Sequence, residues 1–301
     1  MSGETAFIEN LRALAQHPAA HGLMDDVAVL GTGRDALVLT HDMMVEGVHY
    51  LPEQGLDDVA WKLVASNLSD LAAKGAAPVG VLLGYMLGDK DEQFLAGLRD
   101  VLGRYSVPLL GGDTVSGSSR AGGKTGGLCG RSFGLTAIGR VTTWPVPLRS
   151  GAKAGDNIYL TGPVGGAMMG YEALVHGTDD DSTAFRRPVP LLPEGYALAP
   201  HVHAMMDVSD GVLLDASRMA KASGVTIALD SALVPIDCPE NRRADALRWG
   251  DDYQLLFTLP VDVCPPVAAT PIGQVLPQVD SALLVDGASV GPDDTLGYQH
   301  G

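Results

Sequence analysis

The chain has 301 residues, 46% of them hydrophobic, with 36 Asp and Glu against 20 Lys and Arg, a formal net charge of −16. Such a chain buries a real core in one or two domains, and its charge argues against nucleic acid and anionic membranes as partners. Anionic substrates stay open if divalent cations mediate the contact. No basic segment followed by an apolar run opens the sequence, and the longest apolar run, 77–87, is interrupted by Pro78, Gly80 and Gly84 and is too short for a bilayer. Three cysteines, Cys129, Cys238 and Cys264, form no CxxC pair, which fits a reducing cytoplasm.

In chain order, residues 1–20 read as a short helix ending near Pro18, followed by a hairpin of strands 27–30 and 36–40 around "GTGRD". A helix from about 57 to 74 takes Asp57 as N-cap and Gly75 as stop, with Pro78 beyond. A strand at 79–87, a helix at 92–105 and a strand at 107–110 come next. A Gly/Ser-rich segment, 116–131, then precedes a strand at 135–141. "WPVPLRSGAKAGD" (144–156) reads as a boundary. The second unit opens with a strand at 157–161, a loop "GPVGG" and a helix at 167–176. Later, "MMDVSDGVLLDASRMAKASGVTIAL" predicts strand, turn, helix and strand with Gly224 as helix stop. The pattern predicts an α/β (α+β) chain in two domains, 1–146 and 147–301.

Two glycine-rich stretches invite a phosphate-binding reading. In "GSSRAGGKTGG" (117–127) the pattern G-x-x-x-x-G-K-[ST] needs glycine at 118, but Ser118 stands there, Gly117 is one residue early, and no strong helix follows. The stretch therefore reads as a decoy rather than a phosphate-binding loop. "GPVGG" follows a strand as a phosphate loop does, but helix packing explains it as well. His201 and His203 share a strand face without a third ligand nearby, which favours surface histidines over a metal pair.

The aspartates carry more. Pairing outward from "GTGRD" puts Asp26 and Asp42 together beside Asp25, either as solvated strand ends or around a cation. On the helix, Val59, Ala60, Leu63, Val64, Leu68 and Leu71 define an apolar arc, and Asn67 and Asp70 fall inside it. A buried carboxylate is costly unless paired or metal-bound, so Asp70 either meets Lys74 one turn on or meets a metal. In "VPLLGGDT" a strand ends in glycines and Asp113, which is a close approach to a ligand or a plain turn. In "MMDVSDGVLLD", Asp207 leaves a strand, Ser209 is placed as N-cap and Asp210 in the first helical turn. That is an ordinary cap or a phosphate site that needs metal. Together Asp26, Asp42, Asp70, Asp113, Asp207 and Asp210 sit at element ends or in the arc with few basic residues beside them. Hard oxygens without His/Cys spacing suit Mg²⁺, which most often holds nucleotide phosphates.

"DDVAVL", "DMMVEGVHY", "NLSDLAAKGAAP", "LLGGDT", "RSGAKAGDNIYLTG", "RRPVP", "DVSDGVLLD", "GDDYQLLFTLP" and "GYQH" occur in an order, over nearly the whole chain, that resembles the thiamine-monophosphate kinases of the aminoimidazole-ribonucleotide-synthetase-like superfamily. The resemblance implies a cytoplasmic ATP- and Mg²⁺-dependent kinase making thiamine diphosphate, the last step of its biosynthesis. It also implies a homodimer formed through the strands of an N-terminal domain that binds ATP and Mg²⁺, followed by a C-terminal α+β domain. It assigns Asp26, Thr40, Asp42, Asp70, Asp113, Asp207 and Asp210 to Mg²⁺, with Asp42, Asp70, Asp207 and Asp210 at the catalytic centre. Gly112, Asp113, Arg149 and Ser209 go to ATP, and His49, Asp251 and Tyr298 to thiamine phosphate. The chain departs from the family pattern at Met24 (usually Gly), at His41 and Met43 (usually Thr-Asp-Thr around Asp42) and at "WGDDYQ" (usually "GGEDYE"). The expected cost of the change around Asp42, to His41 and Met43, is a hydroxyl near a metal. Another ATP-using enzyme of the superfamily and a non-catalytic nucleotide- or Mg²⁺-binding relative stay open as alternatives.

Overall fold

Alternating apolar residues on either side of the first turn pair as β1 (Ala28–Thr32) and β2 (Asp35–Val45). The computed structural model describes residues 8, 10–12, 14–32, 35–116, 130–290 and 294–298. Ala28 pairs with Leu39 and Thr32 with Asp35, so the ladder runs into the stretch expected to be turn. The register is one residue from the expected one, and Asp26 lies beyond the ladder rather than opposite Asp42. The expected first helix falls partly outside the described residues; Pro18–Leu23 is a 3-10 turn.

The next elements are α1 (Leu56–Ala72), β3 (Ala76–Leu87), α2 (Asp91–Tyr105), β4 (Leu109–Ser116) and β5 (Ser132–Val141). The N-cap of α1 is Gly55, not Asp57. Asp57 sits in the first turn, where the helix dipole favours a carboxylate, and accepts from Gln93 at 2.7 Å. β4 does not end before "GGDT" but runs through it, parallel to β3. A Cβ at Gly112 would lie 2.0 Å from the Leu83 carbonyl, so the glycine serves strand packing. The five strands are ordered β1–β2–β5–β3–β4, leaving β4 as an edge exposed along its length.

The second half contains β6 (Asp156–Leu160), α3 (Gly166–His176), α4 (Thr183–Arg186), α5 (Leu192–Leu198), β7 (Ala204–Asp207) and α6 (Val212–Ser223). It ends with β8 (Thr226–Leu229), α7 (Arg243–Ala246), β9 (Leu255–Pro260), β10 (Thr270–Leu276), β11 (Leu283–Val285) and β12 (Ala288–Ser289). Its seven strands run β12–β11–β8–β10–β6–β9–β7, antiparallel except for β8 with β11. Both sheets are therefore mixed, in keeping with the α/β (α+β) expectation. The 205–229 stretch folds as expected, with Gly224 left-handed at φ +66 capping α6.

Every residue of α1 except Asp57 and Trp61 is buried, because the helix lies between the first sheet and the second half. The core around Val59, Leu63 and Leu68 also includes Leu192, Leu198, Met205 and Phe257. "RRPVP" fastens the two halves: Arg186 reaches Asp58 at 2.6 Å, Arg187 reaches Asp57 at 2.9 Å and also Asp58, and Trp61 donates to the Pro188 carbonyl at 3.0 Å. No helix among the described residues is long and apolar enough to cross a membrane.

Candidate active site

Residues two apart in a strand share a face, so Thr40 and Asp42 both point from β2 towards α1. There the Thr40 hydroxyl donates to Asp70, and Asn67 accepts from the Asp42 amide at 3.2 Å. Asp26 enters from just before β1 and Asp207 from the end of β7. Asp26, Asp70 and Asp207 each offer an oxygen, all within 4.8 Å of one another. Burial, then repulsion from Asp26, pushes Asp42 up to about 6. Burial and the Asp26 charge push Asp207 up to about 7, while burial with Asp42, Asp207 and Asp26 pushes Asp70 well above the carboxylate range. These groups are mutually incompatible as free anions. Four clustered carboxylates without His or Cys are a donor set that fits a hard divalent cation such as Mg²⁺.

Lys74 does not pair with Asp70. It lies 2.8 Å from Asp25, which also accepts from the Arg149 amide at 2.8 Å. Burial opposes ionisation of Asp25, yet these partners hold its carboxyl below the ordinary value. Nor are basic residues scarce. The Arg149 guanidinium pairs with Asp26, and Arg218 pairs with Asp210 and, at 3.0 Å, with the fully buried Asp215. Among the described residues, no lysine or arginine forms an ion pair with Asp70 or Asp207.

The turn after β7 differs from a simple cap. Gly211, at φ +109, is the N-cap of α6, so Ser209 and Asp210 precede the helix. A Cβ at Gly250 would meet the Ser209 carbonyl at 2.1 Å, so glycine there lets the 250–253 segment close against this turn. The result is a cavity of about 570 Å³ whose lining includes Asp26, Asp42, Asp70, Asp207, Ser209 and Asp210. The same cavity is lined by His49, Asp251 and Tyr298 and by Tyr171, Phe185 and Trp249, and the Asp251 and Tyr298 amides donate to the Ser209 and Asp210 carbonyls at 2.9 and 3.0 Å. Tyr171 packs against Phe185 at 5.3 Å and against Trp249 at 5.2 Å between ring centroids. Trp249 occupies a position the family pattern gives to glycine.

The fold thus gathers Asp26, Thr40, Asp42, Asp70, Asp207, Asp210, Ser209, Arg149, His49, Asp251 and Tyr298 around one cavity. Gly112 and Asp113 are exposed on β4 and do not line it. His41 is exposed and its ring bonds Thr136 at 2.9 Å on the opposite face of β2, while Met43, the other half of that departure, lines the cavity. Sequence reasoning missed the aromatic wall, Arg218 and Lys62. Lys62 was detectable as the one charged residue between Asp58 and Asp70 on a buried helix.

The competing features find structural partners. Asp252 accepts from the Gly165 amide at 2.9 Å and the Ala167 amide at 3.3 Å, filling the N-terminus of α3 that "GPVGG" offered to phosphate. His203 bonds Asp156 at 2.9 Å, and His201 is exposed. "GSSRAGGKTGG" lies outside the described residues.

Two family models match: "AIR synthase related protein, N-terminal domain" over residues 24–141 and "AIR synthase related protein, C-terminal domain" over 153–263. The thiamine-monophosphate kinase of Escherichia coli K12 is 34% identical over 308 residues, covering 93% of this chain and 91% of the relative. That of Caulobacter vibrioides is 35% identical, covering 94% and 86%. Among solved structures, "AaThiL complexed with AMPPCP and TMP" superposes with a TM-score of 0.84 at 27% identity, covering 96% of this chain and 95% of that one. The thiamine-monophosphate kinase of Stenotrophomonas maltophilia K279a gives 0.74 at 28% identity, covering 95% and 96%. Matches of this extent, on a chain whose unpaired aspartates share a cavity with an aromatic wall, place it by descent as well as by geometry: the chain belongs to the thiamine-monophosphate kinase family of AIR synthase related proteins.

Proposed function

We propose that the chain transfers the γ-phosphoryl group of ATP directly, in line, to thiamine monophosphate, giving thiamine diphosphate and ADP. The bond from the γ-phosphorus to the β–γ bridging oxygen breaks as one forms to an oxygen of the acceptor phosphate. A phosphate monoester already carries a charge of about −1.5 to −2 at pH 7, so that oxygen attacks without a general base. The difficulty is repulsion between two anions, which suits a site rich in carboxylates and without an obvious base. The observation that carries this reading is one cavity lined both by a cluster of buried carboxylates, of which Asp70 and Asp207 form no ion pair with an arginine or lysine among the described residues, and by a group of aromatic rings.

Asp26, Asp42, Asp70 and Asp207 would hold Mg²⁺, with Asp210 at the rim and Thr40 fixing Asp70 through its hydroxyl. Held there, Mg²⁺ would supply the charge neutralisation and alignment that transfer between two phosphates needs. Arg149 and Ser209 face the nucleotide. For Gly112 and Asp113, on the exposed edge strand, the assignment to ATP, and of Asp113 to metal, rests on resemblance. His49, Asp251 and Tyr298 take the organic part of the substrate, where aromatic faces favour thiamine's cationic ring. The same reading has the chain act as a cytoplasmic homodimer, divided at 146/147, without nucleic-acid or membrane partners. Leu109, Leu110 and Val115 on β4, each about half exposed, are an apolar edge that a second copy would cover.

Incubating purified protein with Mg²⁺, ATP and thiamine monophosphate, against thiamine and other phosphorylated acceptors, tests the reading. Thiamine diphosphate should form from the monophosphate alone. Its absence, with another superfamily substrate turned over or ADP bound without turnover, would replace this reading.

A further inference from the structure

Lys62 is 1% exposed, and neither metal nor nucleotide binding gives it a part. Its ammonium lies 2.7 Å from Asp251 Oδ2, donates to the His49 carbonyl at 3.2 Å and stands 3.8 Å from the centroid of the Phe185 ring. An ammonium has three donors, and three neighbours surround this one, leaving it no direction for a phosphate. Those neighbours belong to the loop after β2, to α4 and to the segment before β9, and all three line the cavity. A buried ammonium is costly unless paired, so Lys62 and these three walls fix one another.

Asp251 is held further. Its backbone is left-handed at φ +65, which a non-glycine residue adopts only when its surroundings impose it. Its second oxygen accepts from the Tyr253 hydroxyl at 3.0 Å. Burial and the nearby Asp251, Asp42 and Asp207 charges keep that hydroxyl protonated, and so a donor. With Lys62 on one oxygen and Tyr253 on the other, the carboxylate plane is set. Its side chain keeps 30% of its surface exposed in the cavity wall. A carboxylate has lone pairs beyond those two bonds and accepts rather than donates, so what it recognises is an N–H donor.

We propose that Lys62 is a positioning residue for the organic half of the substrate, aiming Asp251 at an exocyclic amino group of its heterocycle. This rests on the thiamine-monophosphate reading, since the aminopyrimidine of thiamine supplies such a group. The shorter Asp251, in place of the family's usual glutamate, stands within reach of Lys62 and Tyr253 together.

The test compares thiamine monophosphate with its analogue carrying an oxo group in place of the amino group, in wild type, K62M, K62Q and D251N. Wild type should prefer the amino substrate by about tenfold or more in kcat/KM, because an acceptor left facing another acceptor is penalised. K62M should lose that preference through a rise of about tenfold in KM for thiamine monophosphate, with KM for ATP within about twofold. K62Q, which keeps a donor, should recover part of the preference. D251N, whose amide can donate, should favour the oxo analogue. Folded K62M with wild-type preference and KM overturns the proposal, as does an unchanged preference in D251N should K62M fail to fold. Wild type that phosphorylates neither compound overturns the functional reading itself, an outcome distinct from either.

Discussion

Asp58 and Asp70 lie on the same helix, 5% and 8% exposed, and the fold treats them oppositely. Asp58 meets two guanidinium groups, from Arg186 and Arg187. Asp70 meets a threonine hydroxyl and is crowded by Asp26, Asp42 and Asp207. Equal burial with opposite compensation separates a carboxylate that joins two halves of a protein from one that waits for a cation. Burial alone distinguishes neither; the sign of the neighbours does.

The largest effect that sharpens this contrast is on turnover. Asp70→Asn should lower kcat by on the order of 10³, the loss of several kcal/mol of transition-state charge stabilisation, while the metal-free variant melts no lower than wild type. Asp58→Ala should do the reverse. Its arginines are about a third exposed, so water relieves part of the broken pair, and a loss of roughly 2 kcal/mol, about 5 °C in melting temperature, is expected with kcat in the folded protein little changed.

A smaller effect concerns pH. Without metal, Asp42 and Asp207 hold protons to about 6 and about 7 when folded, whereas the unfolded chain releases them near the ordinary value of about 4. Between these values the folded state binds more protons, so stability falls as pH rises from about 4 to about 7. Thermal melts of chelator-treated protein should show that decline, and Mg²⁺ should reverse it at pH 8 more than at pH 6. Melts that improve steadily over this range would show the carboxylates to be compensated. The smallest effect is at Lys124, in the glycine-rich stretch whose spacing misses the phosphate-loop pattern: Lys124→Ala should leave KM for ATP within about twofold.

Much of this was legible locally. The 205–229 unit follows from an apolar strand, a turn and a glycine stop, and Asp26, Asp70 and Asp207 announce themselves by standing at element ends or inside an apolar arc. What sequence periodicity does not carry is partnership through space. Lys74 is one turn from Asp70 but pairs with Asp25, and Lys62 meets Asp251 across a separation of 189 residues. Arg149 reaches Asp26 only once the second half has folded against the first, whereas Arg218 meets Asp210 and Asp215 within its own stretch of chain. Turn chemistry misled twice: "GTGRD" read as a longer loop moved the hairpin register by one residue, and the glycines of "GGDT" serve the packing of β4 against β3 rather than a turn.

The most direct measurement is a calorimetric titration of Mg²⁺ into metal-free wild type and Asp70→Asn at pH 8, with a non-hydrolysable ATP analogue present. Wild type should take up Mg²⁺ with a clear binding isotherm, and Asp70→Asn should lose at least one of the bound ions with weakened affinity for the rest. Identical isotherms for the two proteins would contradict the assignment of the unpaired aspartates to a cation site.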